Sequence, residues 1–141
     1  MFNRILVAID GSIMSEKALK SAFNFVKERY SKISVIHVEK NIEITEGMPK
    51  ATIDRIYSEQ SKESEDLLHQ ATALAENEGI EIEVQLVMGE PAIQIVKKAE
   101  ERNYQLIVMG SRGLGNIKGL MLGSVSQKVT QLSHCPVLII K

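Results

Sequence analysis

The sequence predicts an α/β fold in which helices cover both faces of a five-stranded parallel sheet, and two observations support this class. Short apolar runs rich in β-branched residues alternate with longer amphipathic runs through all 141 residues, as buried strands and surface helices do. Strict alternation favours parallel strands joined by right-handed crossovers, which gives a doubly wound, three-layer architecture. Because no repeat, linker or low-complexity tract interrupts the pattern, we expect a single domain over residues 1–141.

The first half of the chain alternates two strands with two helices. Residues 4–10 and 33–38 are short apolar runs that predict the first two strands. Between them, residues 15–30 carry apolar side chains at helical spacing, and residues 52–77 do so over a longer stretch. Gly79 follows the second helix, where a helix C-terminus favours a left-handed residue.

The residue pattern of the third strand predicts its position in the sheet. Residues 81–87 alternate Ile82, Val84 and Leu86 with polar side chains, which is the pattern of a half-exposed strand at an edge. Pro91 then suits the first position of a third helix.

The last part of the chain contains the fourth and fifth strands. Residues 105–109 and 136–140 are apolar runs, separated by a glycine-rich loop and a helix that extends to about residue 133. Ser124 and Gln127 have the spacing of a capping box, which predicts Ser124 as the cap of that helix.

The predicted strand order places a crevice at the glycine-rich loop. With the third strand at one edge, the economical order is 3-2-1-4-5, which reverses between strands one and four. Ligands in such sheets bind beyond the carboxyl ends of the strands at the reversal, here residues 10–12 and 110–113. Glycine permits positive φ and brings bare N–H groups close to a ligand, so the loop favours an anion, as does the N-terminus of the following helix.

Composition excludes several classes of function. A formal net charge of −1 and few aromatic side chains argue against nucleic-acid binding. The lone Cys135 excludes an internal disulfide and a cysteine-cluster zinc site. The sequence contains neither the roughly 20-residue apolar run of a membrane span nor a secretory leader at its start, so we expect a cytoplasmic protein.

Two common phosphate-binding motifs are absent from the sequence. The spacing from Gly110 to Gly115 is followed by Asn116 and Ile117, where a Walker A loop requires lysine and serine or threonine. A dinucleotide fingerprint fails because Lys118 stands in place of its third glycine. The loop therefore indicates another kind of nucleotide fold.

The glycine spacing resembles the ATP-binding signature of the universal stress protein family. Gly110, Gly113, Gly123 and Ser124 follow the pattern G-2x-G-9x-G-[ST]. The other landmarks that resemble the family are residues 5–12, 89–91, 107–111 and 135–140. The resemblance covers the whole chain and implies a Rossmann-like fold of the adenine nucleotide alpha hydrolase type.

The resemblance also implies a set of ligand contacts. Backbone and hydroxyl contacts to the phosphates are implied for Gly110, Gly113, Gly123, Ser124 and Ser126. The remaining implied positions are Asp10 beside the adenosine, the Val38 backbone at the adenine edge, and Met109 and Val125 in the pocket lining. Arg112 matches a variable loop position and either attracts phosphate or remains a solvated charge. A Mg²⁺ or Mn²⁺ ion bridging the phosphates is implied as well, with ligands that the sequence does not identify.

These observations predict an ATP-binding regulatory protein of the stress response. The alternatives are a slow ATP hydrolase acting as a nucleotide-dependent switch, for which no residue is nominated to orient water, and a non-enzymatic interaction module. The apolar strand at residues 136–140 predicts a homodimer, because an exposed edge invites pairing. Residues 39–50 are a candidate lid or contact surface for an unknown protein partner.

Overall fold

The computed structural model of the protein describes residues 2–28, 31–113 and 122–141, without the side chains of residues 27 and 28. Within that part of the chain the five parallel strands are β1 (Arg4–Ala8), β2 (Lys32–Glu39), β3 (Ile82–Met88), β4 (Leu106–Gly110) and β5 (Val137–Ile140). Their order is β3-β2-β1-β4-β5. The predicted fold class and strand order are therefore confirmed.

Helices cover both faces of this sheet. They are α1 (Ile13–Glu28), α2 (Lys50–Asn77), α3 (Pro91–Glu101) and α4 (Ser124–Leu132). The first two pack on one face and the last two on the other. Among the described residues, no helix is long and apolar enough to cross a membrane.

Strand β1 lies at the centre of the sheet and is buried on both sides. Ile5 and Val7 face the core under α1 and α2, whereas Leu6 and Ala8 face the core under α3 and α4. A strand that is covered on both faces needs a continuous apolar sequence rather than an alternating one. This requirement explains the run at residues 5–9.

Strand β3 occupies one edge, as its alternation predicted. Its apolar side chains remain partly open to solvent, with Val84 and Leu86 each 42% exposed and Met88 47% exposed. The register pairs Val35 with Val84, which places these side chains on the face that α2 covers. Helix α2 therefore covers this edge only in part.

The ends of α2 and α4 show one confirmed prediction and one wrong one. Gly79 has φ +70°, and Ile80 N–H donates to the Ala75 carbonyl at 2.9 Å, so a left-handed glycine ends α2 as predicted. The capping box at α4 is wrong, because the cap residue is Gly123 and no side chain caps this end. Gln127 N–H donates to the Gly123 carbonyl at 3.0 Å, which places Ser124 inside the first turn.

Candidate functional site

A cleft of about 750 Å³ lies beyond the carboxyl ends of β1, β2 and β4. It occupies the reversal of the strand order between β1 and β4, where ligands of such sheets bind. The site residues predicted from the sequence all line it: Asp10, Val38, Met109, Gly110, Arg112, Gly113, Gly123, Ser124, Val125 and Ser126. The fold thus brings together segments that are more than 100 residues apart in sequence.

Glycine is needed at the three predicted loop positions because a side chain there would approach other segments too closely, not because the backbone angles are unusual. Positive φ occurs at Gly11 and Gly89 near the cleft but at none of Gly110, Gly113 and Gly123. Positive φ is therefore not the reason for glycine at these three positions. Close approach of other segments provides a different reason for glycine at these positions.

Each loop glycine has a distinct neighbour. A Cβ atom on Gly110 would lie 2.7 Å from Met14 Cβ and 2.9 Å from the Met14 carbonyl carbon, because α1 crosses β4 there. A Cβ on Gly113 would overlap Oδ2 of Asp10. A Cβ on Gly123 would lie 3.4 Å from the Cα of Arg112, so this glycine lets the two ends of the loop meet closely.

Asp10 is held in a tight turn directly after β1. Ser12 N–H donates to Oδ1 of Asp10 at 2.9 Å, and the Asp10 N–H donates to Oγ of Ser15 at 3.3 Å. Gly11 has φ +87°, which this turn requires. One carboxylate oxygen is therefore used by the turn, while the other lies against Gly113 across the cleft.

Ser126 joins the two ends of the glycine loop. Its hydroxyl lies 2.7 Å from the Ser111 carbonyl and 3.1 Å from the Gly123 carbonyl, and Gly123 N–H also donates to Ser111 at 2.7 Å. The hydroxyl proton is thus engaged by backbone, and the side chain is 2% exposed. The direct phosphate contact implied for this residue stays a prediction, whereas its role in holding the loop is visible here.

The N-terminus of α4 faces the cleft. Residues 123–126 line the cleft, and the first N–H groups of a helix have no partners within the helix. These donors and the helix dipole favour an anion. Arg112 adds an exposed positive charge on the same side.

Val38 lies where β2 extends beyond β1. The last pair between these strands joins Ala8 to Ile36, and Ile9 N–H donates to the Ile36 carbonyl at 3.0 Å. Because peptide groups of alternate residues point to the same side of a strand, the N–H and C=O of Val38 point to the side that β1 vacates. This direction leads into the cleft, which agrees with a backbone role for Val38.

Met109 and Val125 form the apolar side of the cleft. Met109 is 6% exposed in the core under α3 and α4, and Val125 packs against the same core. Both side chains also line the cleft. They provide an apolar surface next to the polar loop.

Helix α2 supplies a wall of the cleft that the sequence analysis missed. The residues involved are Gln60, Glu63, Ser64, Asp66, Leu67 and Gln70. Residues 60, 63, 64 and 67 recur at the spacing of one helix face. The signal available in the sequence was a polar stripe continuing the apolar face at Leu68 and Ala71, but such a stripe is equally typical of a solvated surface.

Two residues of β2 also line the cleft: His37, which the sequence analysis did not place there, and Glu39, which it placed at the start of a candidate lid and which lies at the end of the strand. His37 places Nδ1 2.8 Å from the Ile9 carbonyl, which makes Nδ1 the donor. Glu39 is only 6% exposed and lines the cleft. Lys40 follows Glu39 and also lines the cleft, so this end of the cleft carries both signs of charge.

The sheet order and the cleft at its reversal define a doubly wound α/β protein with its candidate ligand site beyond the carboxyl ends of the strands. The model of the universal stress protein family matches residues 1–141. The chain therefore belongs to this family, and the resemblance found in the sequence is confirmed.

Three similar proteins illustrate the relationship. Universal stress protein YxiE of Bacillus subtilis is 44% identical over the full length of both chains. The universal stress protein of Archaeoglobus fulgidus in complex with dAMP is 27% identical, with 100% of both chains covered and a TM-score of 0.75. A universal stress protein in complex with cAMP is 28% identical, with 99% of this chain and 97% of that chain covered and a TM-score of 0.75.

Proposed function

We propose that this chain binds an adenine nucleotide, ATP with Mg²⁺ or Mn²⁺, in the cleft and acts as a regulatory protein of the stress response in the cytoplasm. The observation that carries the proposal is the convergence of all the predicted site residues on one cleft at the sheet reversal. The loop end offers N–H donors and a positive charge to phosphates. The Val38 backbone and the side chains of Met109 and Val125 offer a polar edge and an apolar surface to a base.

Relatives of this chain support an adenine base. The two solved structures with a TM-score of 0.75 are complexes with dAMP and cAMP, which share adenine but differ in sugar and phosphate. A base shared among different phosphates favours a site in which the base is recognised and the phosphate end is variable. ATP extends that phosphate end along the glycine loop.

The ligands of a bridging metal ion stay unidentified; Asp10, implied beside the adenosine, is a carboxylate that lies against the glycine loop. The described residues contain no group of three or more His, Cys, Asp or Glu side chains that could hold a metal. Mg²⁺ bound with a nucleotide needs only one or two carboxylates beside the phosphates. One oxygen of Asp10 lies against Gly113, at the loop that would carry the phosphates. A bound ion would neutralise phosphate charge there.

Calorimetric titration with ATP and Mg²⁺ tests the proposal. Wild-type protein should bind one nucleotide per chain, and Gly123→Val should weaken binding because the larger side chain crowds the Arg112 backbone and the Ser111 carbonyl. Leu132→Val, at the exposed far end of α4, is the matched control and should bind normally. Absence of saturable binding by the wild type would sink the proposal, and a single-turnover hydrolysis assay on the same samples separates binding from turnover.

We also propose a homodimer formed through β5. Among the strands that the structure describes, β4 is the single neighbour of β5. Ile107 N–H donates to the Pro136 carbonyl and Ser111 N–H to the Ile140 carbonyl, so by alternation the peptide groups of Val137 and Ile139 point to the free edge. A second copy could pair there through backbone hydrogen bonds.

Light scattering of two variants tests this interface. Ile139→Pro removes an N–H that points outward, whereas Ile139→Ala shortens the side chain and keeps that N–H. We expect the proline variant alone to become monomeric while nucleotide binding persists. A wild-type monomer at micromolar concentration, or a dimer unaffected by proline, would contradict the interface.

A further inference from the structure

The backbone pairing between β1 and β2 stops at Ile9. The last hydrogen bond between the two backbones joins the Ile9 N–H to the Ile36 carbonyl at 3.0 Å. In a regular parallel ladder the next bond would join the Val38 N–H to the Ile9 carbonyl, because successive bonds alternate between the two strands as donor. The described residues do not make that bond, since the paired register ends at Ala8 and Ile36 and Ile9 lies outside β1.

A side chain replaces the missing backbone donor. Nδ1 of His37 lies 2.8 Å from the Ile9 carbonyl oxygen, which is the acceptor that the Val38 N–H would otherwise use. A carbonyl oxygen only accepts hydrogen bonds, so Nδ1 of the ring carries the proton. The last carbonyl of this segment is therefore satisfied although the chain has separated from the backbone of β2.

This separation changes what the backbone of β2 offers to the cleft. The Ile36 carbonyl points to β1, and peptide groups of alternate residues point to the same side of a strand, so those of Val38 point to that side too. Because the pairing with β1 has ended, no acceptor in the described part of the chain receives the Val38 N–H. This donor opens into the cleft, which Val38 lines.

The same contact fixes where the Asp10 turn begins. The Ile9 carbonyl belongs to the peptide group that leads into Asp10. The residues that follow form the turn closed by the Ser12 N–H on Oδ1 of Asp10 at 2.9 Å. Gly11, with φ +87°, takes the chain out of the path of the strand. His37 thus holds the point at which the chain leaves the sheet beside the cleft.

We propose that His37 is a positioning residue of the cleft, which donates Nδ1–H to the Ile9 carbonyl and thereby keeps the Val38 N–H free of β1 and open to a ligand. The effect on binding rests on the proposed nucleotide binding, whereas the hydrogen-bond arrangement does not. Without the imidazole the carbonyl of Ile9, a residue only 6% exposed, would lack a partner. The next backbone donor of the ladder is the Val38 N–H, so β1 would extend by one bond and occupy it.

Two substitutions separate the ring donor from the bulk of the side chain. His37→Asn keeps an N–H donor near the position of Nδ1, because the amide nitrogen of asparagine is also attached to Cγ. His37→Leu provides an apolar side chain without a donor. His69→Leu, at an exposed position of α2 that does not line the cleft, is the matched control.

Hydrogen exchange of the Val38 amide, measured by NMR on nucleotide-free protein, reports the arrangement directly. We expect this amide to exchange more slowly in His37→Leu than in the wild type by roughly 3-fold to 10-fold, because it gains a backbone hydrogen bond there. His37→Asn and His69→Leu should exchange as the wild type does. A role of His37 in stability alone would not slow this amide.

Titration with ATP and Mg²⁺ measures the consequence for the cleft. His37→Leu should bind roughly 3-fold to 10-fold more weakly than the wild type, since one ligand-facing donor is lost to β1. His37→Asn should restore most of the affinity, and His69→Leu should bind normally. Addition of ATP to the wild type should slow exchange of the Val38 amide.

The outcomes separate this inference from the proposed function. If the wild type binds no nucleotide, the proposed function fails, while the exchange rates still decide whether His37 keeps the Val38 amide free. Unchanged exchange in His37→Leu would overturn the inference even if ATP binds to the wild type. Slower exchange with normal affinity, or an equal loss of affinity in His37→Asn and His37→Leu, would overturn the positioning role. Should His37→Leu fail to fold, a wild-type Val38 amide as protected as the paired Ile9 amide would overturn it as well.

Discussion

Alanine at Gly110 introduces a methyl group where α1 meets the end of β4. The new Cβ would lie 2.7 Å from Met14 Cβ and 2.9 Å from the Met14 carbonyl carbon, whereas carbon atoms in contact prefer about 3.5–4.0 Å. The helix backbone must therefore move by about 1 Å, and overpacking of this kind costs about 1–3 kcal/mol. At about 3–4 °C per kcal/mol for a domain of this size, Tm should fall by roughly 3–12 °C.

Alanine at Gly113 introduces the same methyl group into the same loop with a different consequence. The new Cβ meets the Oδ2 atom of Asp10, which is the end of a side chain rather than backbone. Gly113 is exposed and does not have positive φ, so alanine fits its backbone and should change stability by no more than about 0.5 kcal/mol. The carboxylate of Asp10 must turn away, which should weaken nucleotide binding by roughly 10-fold if one charge-assisted contact is lost.

The two variants are compared by thermal unfolding and by titration with ATP and Mg²⁺. We expect Gly110→Ala to lose stability and Gly113→Ala to lose affinity at nearly normal Tm. An unchanged Tm for Gly110→Ala would refute the packing argument. Normal affinity for Gly113→Ala would show that the position of Asp10 against the loop has no part in binding.

Three further substitutions test local features of the structure. Ser126→Ala removes the hydroxyl that links the loop ends and should lower the free energy of unfolding by about 1 kcal/mol while weakening nucleotide binding, measured by denaturation and titration. Gly79→Ala should cost about 1–2 kcal/mol in thermal unfolding, because a Cβ there meets no atom within 4 Å and only the φ of +70° opposes it. Lys128→Ala breaks an ion pair with Glu90 whose side chains are 44% and 56% exposed, so its effect in urea denaturation should stay below about 1 kcal/mol and shrink with added salt.

Much of the fold follows from local sequence patterns. The continuous apolar run of β1 requires burial on both faces, whereas the alternation of β3 requires burial on one face only. These patterns agree with the central position of β1 and the edge position of β3 in the sheet. Gly79 ends α2 as expected, because a left-handed position is a local property of the backbone. The prediction that Ser124 caps α4 was wrong. The neighbouring Gly123 occupies the cap position without a side chain, and the spacing between Ser124 and Gln127 does not reveal which of the two residues is the cap.

The composition of the cleft was only partly visible in the sequence. The glycine spacing and Asp10 pointed to the loop and to the turn after β1, because each is a short motif with its own chemistry. Gln60 and Glu39 carry no such motif. Gln60 lies on a helix, where a polar residue is usually solvated, and only the packing of α2 against the end of β2 buries side-chain oxygens of Gln60 and Glu39.

The sequence by itself determined the alternation of strands and helices, the edge position of β3 and the family spacing of the loop, because these depend on neighbours a few residues away. Only the tertiary structure showed why positions 110 and 113 require glycine. A side chain at position 110 would overlap Met14, and one at position 113 would overlap Asp10. Both neighbours are about 100 residues away in the chain. Such contacts depend on how closely distant segments approach after the sheet has formed, and no local pattern encodes that distance.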